Sequence, residues 1–201
     1  MSAPQALLLG QFYHVFSRGI GGQTLFRNER DYYRFLQQYA THIEPIAKTY
    51  TYNLLPNHFH CLIRTKTPDE QVQKDPSVTL PREPSQHFSN LLNAYAKYFN
   101  LKYRRSGSLF QRPFGRIEVT SPRYFSTLLV YIHRNAQHHG IVEDFREWPY
   151  SSYHAFLSRK MSRIQRTEAM SWFPDPTIFV ERHRLAVNPN DIAFLLPDDF
   201  E

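Results

Sequence analysis

The spacing of hydrophobic and polar residues predicts strands and helices in turn along most of the chain. From Leu9 to Ser17 aromatic and β-branched residues alternate, which favours a strand. After Asn28, which can cap a helix, apolar residues recur with the three-and-four spacing of a core-facing helix. Its predicted buried positions are Tyr32, Phe35, Leu36, Tyr39 and Ile43.

Two further strands flank a short turn at Pro56 and Asn57. Both Tyr50 to Leu55 and His58 to Thr65 are rich in strand-forming residues, so they predict a β-hairpin with His58 at the start of its second strand. The stretch that follows, from Lys66 to Pro84, contains four prolines and no periodicity. It indicates a long loop.

Two more helices are predicted downstream. An apolar stripe predicts one helix from Ser85 to about Tyr103. Ser121 and Pro122 are typical of a helix start, and Gly140 of a helix end, so a third helix lies between them. The buried stripe of this helix is expected at Phe125, Leu128, Leu129, Ile132 and Ala136.

The remaining segments have weaker patterns. Residues 107–119 are broken by Pro113 and Gly115, which suits an edge strand or an irregular hairpin. Residues 148–156 indicate a turn and a short helix, and after Lys160 the periodicity is lost. Adjacent antiparallel strands and interspersed helices predict an α+β fold, an antiparallel sheet with packed helices.

We expect one functional domain over residues 1–160 and a proline-containing extension over residues 161–201, with an acidic, surface-exposed end. Hydrophobic residues make up 41% of the 201-residue chain, enough for the core of a domain of ordinary size. The single cysteine, Cys61, excludes an internal disulfide and a cysteine zinc cluster, which favours a cytoplasmic location. No apolar run is long enough to span a membrane, and the first ten residues do not resemble a signal peptide, so neither a membrane partner nor export is expected.

Positive charge is concentrated in one part of the chain. The formal net charge is +6, and between Pro84 and Val142 eight Lys and Arg residues accompany a single carboxylate, Glu118. Such a stretch favours contact with nucleic acid over an ordinary solvated face. Its aromatic residues are candidates for stacking on unpaired bases, or for the core: Phe99, Tyr103, Phe110 and Phe114.

The first chemical signal is His58-Phe59-His60. Residues two apart in a strand face the same way, so the two imidazoles can converge on one cation while Phe59, Cys61 and Ile63 face the core. Taken alone, the pattern fits ordinary surface or core histidines better than a metal site. A metal site needs a third ligand.

The second signal is Tyr131 with Asn135, one turn later on the third helix. At about 100° per residue, both share a face beside the buried stripe, from which they can line a cleft. Spacing alone favours the simpler interpretation that Tyr131 packs its ring and hydrogen-bonds a backbone group.

Five segments taken in order resemble a known family. They are FYHVFSRGIGGQTLFRNERDYYRFL, YNLLPNHFHCLI, YFNLKYRRSGSLFQRPFGRIEV, YIHRNAQHHGIV and WPYSSY. Together they resemble the REP-associated branch of the single-tyrosine HUH transposases, and the resemblance covers about Phe12 to Leu157. The resemblance implies an HUH-endonuclease fold, which is ferredoxin-like or RRM-like. It also implies a metal-dependent nuclease and strand transferase that acts on single-stranded or hairpin DNA.

The resemblance assigns roles to individual residues. Tyr131 falls on the nucleophile that forms a 5′-phosphotyrosine, and His58, His60 and Asn135 fall on the ligands of a divalent ion, Mg²⁺ or Mn²⁺. We expect the DNA backbone to contact a set of basic residues: Arg18, Lys97, Lys102, Arg104, Arg105, Arg112 and Arg116.

The sequence departs from the family at two places. Ala136 follows Asn135 where relatives commonly have proline, which lets the helix continue. Residues 109–113 read LFQRP where relatives often have LWQGR, which bears on the DNA sequence preference rather than on the chemistry. The family contains both monomers and dimers that exchange the tyrosine helix, and the sequence is compatible with either.

Two other functions remain open at this point. One is a DNA-binding protein that keeps the fold and metal pocket without catalysis. The other is a metal-dependent phosphohydrolase in which Tyr131 is structural. If Tyr131 is not the nucleophile of a transposase, Tyr124 and Tyr103 are the next candidates.

Overall fold

A computed structural model describes residues 6–71 and 83–185 of the chain. Within these ranges it contains four strands and six α-helices. In chain order they are β1 (Phe12–Arg18), α1 (Glu29–Ile43), β2 (Ala47–Leu55), β3 (His58–Thr65), α2 (Pro84–Lys102), β4 (Gly115–Glu118), α3 (Pro122–His138), α4 (Tyr153–Leu157), α5 (Arg166–Met170) and α6 (Pro176–Arg184). Most of the predicted loop from Lys66 to Pro84 and the acidic end of the chain lie outside the described residues.

The four strands form one antiparallel sheet in the order β2-β3-β1-β4. The predicted hairpin pairs β2 with β3, and β1 lies against the other side of β3. In that pairing Phe16 is opposite His60 and Arg18 is opposite His58. Since opposite residues share a face, both histidines lie on the same face as Phe16 and Arg18.

The short strand β4 forms the edge of the sheet beyond β1, as its proline and glycine predicted. Gly115 lies opposite Phe16, and a Cβ atom at Gly115 would be only 1.8 Å from the Phe16 ring. Glycine is therefore required for β4 to pair with β1. At the other edge, the segment before α4 covers β2, with Leu54 N donating to Tyr150 O over 3.0 Å.

Helices α1 and α2 cover one face of the sheet, called here the α1/α2 face. Its core is apolar and aromatic and includes Phe35 from α1, Tyr95 from α2, and Phe59, Cys61 and Ile63 from β3. The prediction that these three β3 residues face a core is confirmed. The Cys61 thiol is 1% exposed and contacts Val15 O, which fits a structural role.

Helix α3 covers the opposite face, called here the α3 face. Its apolar part contains the predicted helix residues Phe125, Leu128 and Ile132, which pack with Leu62 of β3 and Phe179 of α6. Ser121 caps α3 as predicted, with its Oγ accepting from Tyr124 N over 3.3 Å. Helices therefore cover both faces of the sheet, and most residues of the central strands β1 and β3 are buried.

Three expectations need correction. Asn28 occupies the N-cap position of α1, but its side chain makes no capping hydrogen bond and instead contacts Tyr103 and Lys102. Of the aromatic residues that were candidates either for stacking on bases or for the core, three are at most 6% exposed and belong to the α1/α2 core, which excludes them as stacking surfaces: Phe99, Phe110 and Phe114. Beyond Lys160, where no periodicity was seen, α5 and α6 form and pack on the α3 face.

No helix in the described part of the chain is long and apolar enough to cross a membrane.

Candidate metal and nucleophile site

The strand β3 places His58 and His60 side by side on the α3 face. Their ring centroids are 5.1 Å apart with nearly perpendicular planes. Both side chains are buried, with His58 4% and His60 1% exposed. The alternation of β3 thus delivers two imidazoles to one point beneath α3, as the sequence predicted.

Helix α3 brings the two other predicted residues to the same point. The Asn135 Oδ1 atom lies 3.2 Å from His58 Nε2, and the Tyr131 ring centroid lies 6.3 Å from that of His60. The helix is held down by Asn53 of β2, whose amide donates to Ile132 O over 2.8 Å. A helix and a strand far apart in sequence therefore meet in one cluster of four side chains.

His58 contacts two oxygen atoms but has one proton to share between them. Its Nδ1 lies 2.7 Å from Asn57 Oδ1, and its Nε2 faces Asn135 Oδ1. Burial and the nearby charge of His139 lower the pKa of His58 to about 3, so its ring is neutral and has a single N–H. The shorter contact places this proton on Nδ1, which leaves the Nε2 lone pair directed at the Asn135 oxygen.

The ring of His60 is oriented by a histidine of the neighbouring strand. His60 Nδ1 lies 2.9 Å from His14 Nε2, and the two rings are stacked with centroids 5.0 Å apart. Burial, and then the proximity of His14 and His58, holds the pKa of His60 well below its usual range. When Nδ1–H of His60 donates to His14, His60 presents its Nε2 as a lone pair.

The side chains fit a divalent cation. Two ligand atoms at about 2.1 Å from one ion and at right angles are about 3 Å apart, close to the separation of His58 Nε2 and Asn135 Oδ1. The amide nitrogen Nδ2 of Asn135 is buried without a hydrogen-bond partner, although a flip of the amide would let it donate to His58 Nε2. A cation bound to Oδ1 would account for the orientation in which the oxygen faces the histidine. Among the described residues no group of three or more His, Cys, Asp or Glu side chains is placed to bind a metal ion. The candidate third ligand beside the histidine pair is the amide oxygen of Asn135.

Its position beside the buried stripe suggested that Tyr131 lies at the edge of an open cleft. In the structure it does not. Its side chain is 5% exposed and belongs to the apolar cluster of the α3 face. The flank of the helix on the other side of the stripe, with Val130 and His133, is buried as well, because α6 covers α3 there while the sheet covers the flank that carries Tyr131. One of its ring neighbours is His138 of the same helix, with centroids 5.9 Å apart.

The alternative nucleophile Tyr103 has a structural partner. Its hydroxyl donates to Asp31 Oδ2 over 2.7 Å, and its ring packs against the α1/α2 core on the opposite face of the sheet. Tyr124 lies on α3, two turns before Tyr131, and packs against the apolar cluster of the α3 face.

The seven basic residues expected to contact DNA differ in their surroundings. Arg18 lies beside the histidine pair, where its charge contributes to the lowered pKa of His58 and of His139. Lys102 is bound to the buried Asp31, with Nζ 2.6 Å from Oδ1, so its charge is already compensated. Lys97 and Arg104 are exposed.

The other three basic residues make hydrogen bonds within the protein. Arg105 donates to Asn100 Oδ1 over 2.7 Å, and Arg112 donates to Asn93 Oδ1 over 2.5 Å. Arg116 stacks on the Phe114 ring with its guanidinium 3.8 Å from the centroid. Arg112 is nevertheless exposed, so its outer edge is accessible to solvent.

Sequence reasoning missed the residues that orient the site, namely His14, Asn53, Asn57 and His139. His14 gave a usable signal, since it occupies a strand position on the same face as Phe16, next to the strand that carries the histidine pair. Asn57 directly precedes His58 in the turn. Asn53 and His139 gave none, because their contacts depend on how α3 crosses the sheet.

Comparisons with known proteins extend these observations. No protein-family model matches the sequence. A Haemophilus influenzae protein named as a REP-associated tyrosine transposase is 32% identical over 104 residues, which cover 50% of this chain and 56% of that protein. The match thus spans little more than half of the length of the curated relative.

A solved structure has a similar fold. It is described as a REP-associated tyrosine transposase bound to a REP hairpin, and it superimposes with a TM-score of 0.58 at 17% sequence identity. The superposition covers 79% of this chain and 86% of the other. The predicted α+β fold, an antiparallel sheet with packed helices, is therefore confirmed, and in sequence and in fold this chain is similar to the REP-associated tyrosine transposases.

Proposed function

We propose that this protein is a REP-associated tyrosine transposase, a metal-dependent endonuclease and strand transferase that acts on single-stranded or hairpin DNA. The observation that carries the proposal is the meeting of β3 and α3, where Asn135 Oδ1 lies 3.2 Å from His58 Nε2 and the Tyr131 ring faces His60. Two sequence signals that are weak alone thus form one site. The relative and the structural neighbour support the same activity by their names.

In this proposal His58, His60 and Asn135 hold Mg²⁺ or Mn²⁺ through two neutral imidazoles and an amide oxygen. A divalent ion in that position supplies electrostatic stabilisation of the charge that develops on the scissile phosphate. The low pKa of His58 suits this role, because only a neutral imidazole is a ligand. His14 and Asn57 orient the two rings from the opposite side.

Tyr131 is the proposed nucleophile. Its hydroxyl oxygen forms a bond to phosphorus and loses its proton, while the bond from phosphorus to the 3′ oxygen breaks with its electron pair. The products are a 5′-phosphotyrosine and a strand that ends in a 3′-hydroxyl once this oxygen takes up a proton. Because the phosphotyrosine keeps the ester linkage, a 3′-hydroxyl of another strand can reverse the step and join DNA without ATP.

The approach of DNA is assigned to those of the expected basic residues that lie at the site or are exposed. Arg18 lies at the histidine pair, and Lys97, Arg104 and Arg112 are exposed and available to phosphates. Lys102 was expected to contribute as well, but its ion pair with Asp31 makes it the weakest candidate of the set. Single-stranded or hairpin DNA is the proposed partner, and monomeric or dimeric use of Tyr131 is left to the experiment below.

The test is capture of the covalent intermediate. Single-stranded hairpin DNAs from the sequence that flanks the gene, labelled at the 5′ or the 3′ end, are incubated with the protein and Mn²⁺ or Mg²⁺ and separated on a denaturing gel. We expect a metal-dependent adduct that carries the DNA downstream of the nick. Tyr131→Phe should abolish the adduct and leave hairpin binding unchanged, whereas the matched variant Tyr124→Phe should form it at the normal rate.

Other outcomes would redirect the proposal. Cleavage without an adduct would indicate a phosphohydrolase that activates water. Binding without cleavage on every flanking hairpin would indicate a DNA-binding protein that lacks catalysis. Mixing Tyr131→Phe with His60→Ala tests the dimer, since activity returns only if one protomer supplies the tyrosine to the metal site of the other.

A further inference from the structure

A second group of buried polar side chains lies on the far side of α3 from the candidate site. His183 Nδ1 is 2.7 Å from Phe179 O within α6, and His183 Nε2 is 2.9 Å from His133 Nδ1. His133 Nε2 is in turn 2.9 Å from Ser152 Oγ. This Ser152–His133–His183 chain has no part in the chemistry proposed above.

The protons of this chain have one consistent arrangement. A carbonyl only accepts, so His183 donates through Nδ1 to Phe179 O and accepts at Nε2 from His133 Nδ1–H. His133 Nε2 then accepts from the Ser152 hydroxyl over 2.9 Å, a shorter contact than the 3.2 Å from this hydroxyl to Tyr52 O, and Ser152 Oγ accepts from Tyr52 N over 2.9 Å. Burial lowers the pKa of His183 to about 4, which keeps this ring neutral near pH 7.

The chain connects three parts of the molecule to α3. His183 belongs to α6, Ser152 to the segment before α4, and Tyr52 to strand β2. His133 is the α3 residue in the middle, two positions after Tyr131 and two before Asn135. Any rotation or sliding of α3 that moves Asn135 away from His58 would therefore also break the hydrogen bonds of His133.

Further contacts tie α6 to α3. Arg134 donates to the backbone oxygen of His183, and Arg182 Nη1 lies 3.3 Å from Ser126 Oγ. Apolar contacts in the same place, such as Phe179 within the cluster of the α3 face, hold the helices together without fixing their register. Directional hydrogen bonds fix the register of α6 against α3.

A nucleophilic role for Ser152 does not fit. A serine hydrogen-bonded to a histidine resembles a hydrolase pair, but Ser152 and His183 are each 1% exposed and His133 is fully buried. No substrate reaches the hydroxyl, which is also engaged with strand β2. A buried polar chain of this kind stabilises the fold little more than apolar side chains would. Its contribution is therefore expected in the orientation of the helices that it connects.

We propose that the Ser152–His133–His183 chain is a positioning device for α3, which sets the helix so that Asn135 and Tyr131 meet His58 and His60. Helix α6 is then a working part of the site, although it lies in the stretch that the sequence assigned to an extension. The proposal rests on the proposed function, since it takes His58, His60 and Asn135 as ligands of a divalent ion.

The test uses Mn²⁺ affinity of the full chain without DNA, measured from free Mn²⁺ by electron paramagnetic resonance. We expect Ser152→Ala and His183→Leu to raise the Mn²⁺ dissociation constant about tenfold, the low end for residues that orient metal ligands, at a temperature where each variant is fully folded. His183→Gln should retain near-normal affinity, because its side chain can still accept from His133 and donate to Phe179 O.

The matched control removes a buried hydrogen bond from the other face of the sheet. In Tyr39→Phe the contact between the Tyr39 hydroxyl and Thr49 Oγ1, 2.9 Å long, is lost. This variant should melt at a lower temperature but bind Mn²⁺ as tightly as the wild-type protein. If the Ser152–His133–His183 chain only stabilised the fold, its variants would behave as Tyr39→Phe does, with a lower melting temperature and unchanged Mn²⁺ affinity.

Each result decides the proposal. Normal Mn²⁺ affinity in folded Ser152→Ala and His183→Leu would overturn the positioning role and leave the proposed function intact. Absence of Mn²⁺ binding by the wild-type protein would overturn both. If His183→Leu does not fold, Ser152→Ala, which removes a single oxygen atom, and His183→Gln decide the question between them.

Discussion

The two faces of the sheet are equally well buried but are built from different residues. On the α1/α2 face the β3 side chains are Phe59, Cys61 and Ile63, which pack among aromatic and aliphatic groups. On the α3 face the alternate β3 residues include His58 and His60, and the helix above adds polar side chains. Within the described parts of the chain, the buried histidines lie on the α3 side: His14, His58, His60, His133 and His183.

This difference separates stability from function. Apolar burial lowers the free energy of the folded state, whereas a buried polar group costs free energy unless it is paired. The α1/α2 face therefore accounts for much of the stability. The α3 face holds groups that stability alone does not require, such as Asn135 with its unpartnered amide nitrogen. That is where a function is expected.

The largest predicted effect contrasts two neighbouring residues of β3. Phe59→Ala should lower the free energy of unfolding by about 3–5 kcal/mol, because it leaves a cavity in a close-packed aromatic core. His60→Leu should change the stability far less, since an apolar side chain of similar size replaces a buried polar one. The measurement is urea unfolding at pH 7.5.

The order of the same two variants should be reversed when Mn²⁺ binding is measured instead of stability. At a temperature where it is folded, Phe59→Ala should bind Mn²⁺ normally, and His60→Leu should not bind it. Equal losses of Mn²⁺ affinity in both variants would show that the two faces are not functionally distinct.

The second prediction concerns the pH dependence of stability, and its centre is His183. Burial lowers the pKa of His183 to about 4, while a histidine in the unfolded chain titrates near 6.5. Below about pH 6.5 the unfolded state thus binds more protons, and the stability falls as the pH falls until His183 also protonates in the folded protein. Between pH 6.5 and pH 5 this one residue should account for about 2 kcal/mol.

On the α1/α2 face, the stability depends on pH over a different range. The buried carboxylate of this face is Asp31, whose pKa burial tends to raise but hydrogen bonds from Lys102 and Tyr103 bring below its usual range. The stabilisation of the folded state by ionised Asp31 is present above about pH 4 and is lost only as the pH falls further. Urea unfolding at pH 7.5 and 5.0 checks the window of His183, within which Asp31 should contribute no change. The pH-dependent loss should be smaller in His183→Gln, and an equal loss in the two proteins would refute the assignment.

The α1/α2 face was largely predictable from the sequence. Its helix stripes and the alternation of β3 follow from local periodicity, which needs no knowledge of the partner element. Helices α5 and α6 were missed because each is short and takes its stability from packing on α3 rather than from its own pattern.

The sequence alone indicated the residues of the candidate site but not the residues that surround and orient them. His58 and His60 share a face by strand geometry, and Asn135 follows Tyr131 by one helical turn, so each pair could be identified alone. Their meeting depends on how α3 crosses the sheet, which is set by Asn53 and the His133 contacts. These residues carry no local signal, and for the same reason the burial of Tyr131 was not foreseen.

The smallest predicted effect compares one unpartnered polar atom from each face. Asn135 Nδ2 on the α3 face and Ser17 Oγ on the α1/α2 face are both buried without a hydrogen-bond partner. Replacing either residue with an apolar one, in Asn135→Leu and Ser17→Ala, should raise the free energy of unfolding by about 1 kcal/mol, since each removes an unsatisfied group. Thermal and urea unfolding measure this gain.

Only Asn135→Leu should lose Mn²⁺ affinity and adduct formation, because the polar atom it removes belongs to the proposed ligand set. Ser17→Ala should keep both. If Asn135→Leu is stabilised and still forms the DNA adduct at the normal rate, the third ligand lies elsewhere. If it is instead destabilised by more than 1 kcal/mol, Asn135 is a structural partner of His58, and the polar character of the α3 face would then reflect packing rather than catalysis.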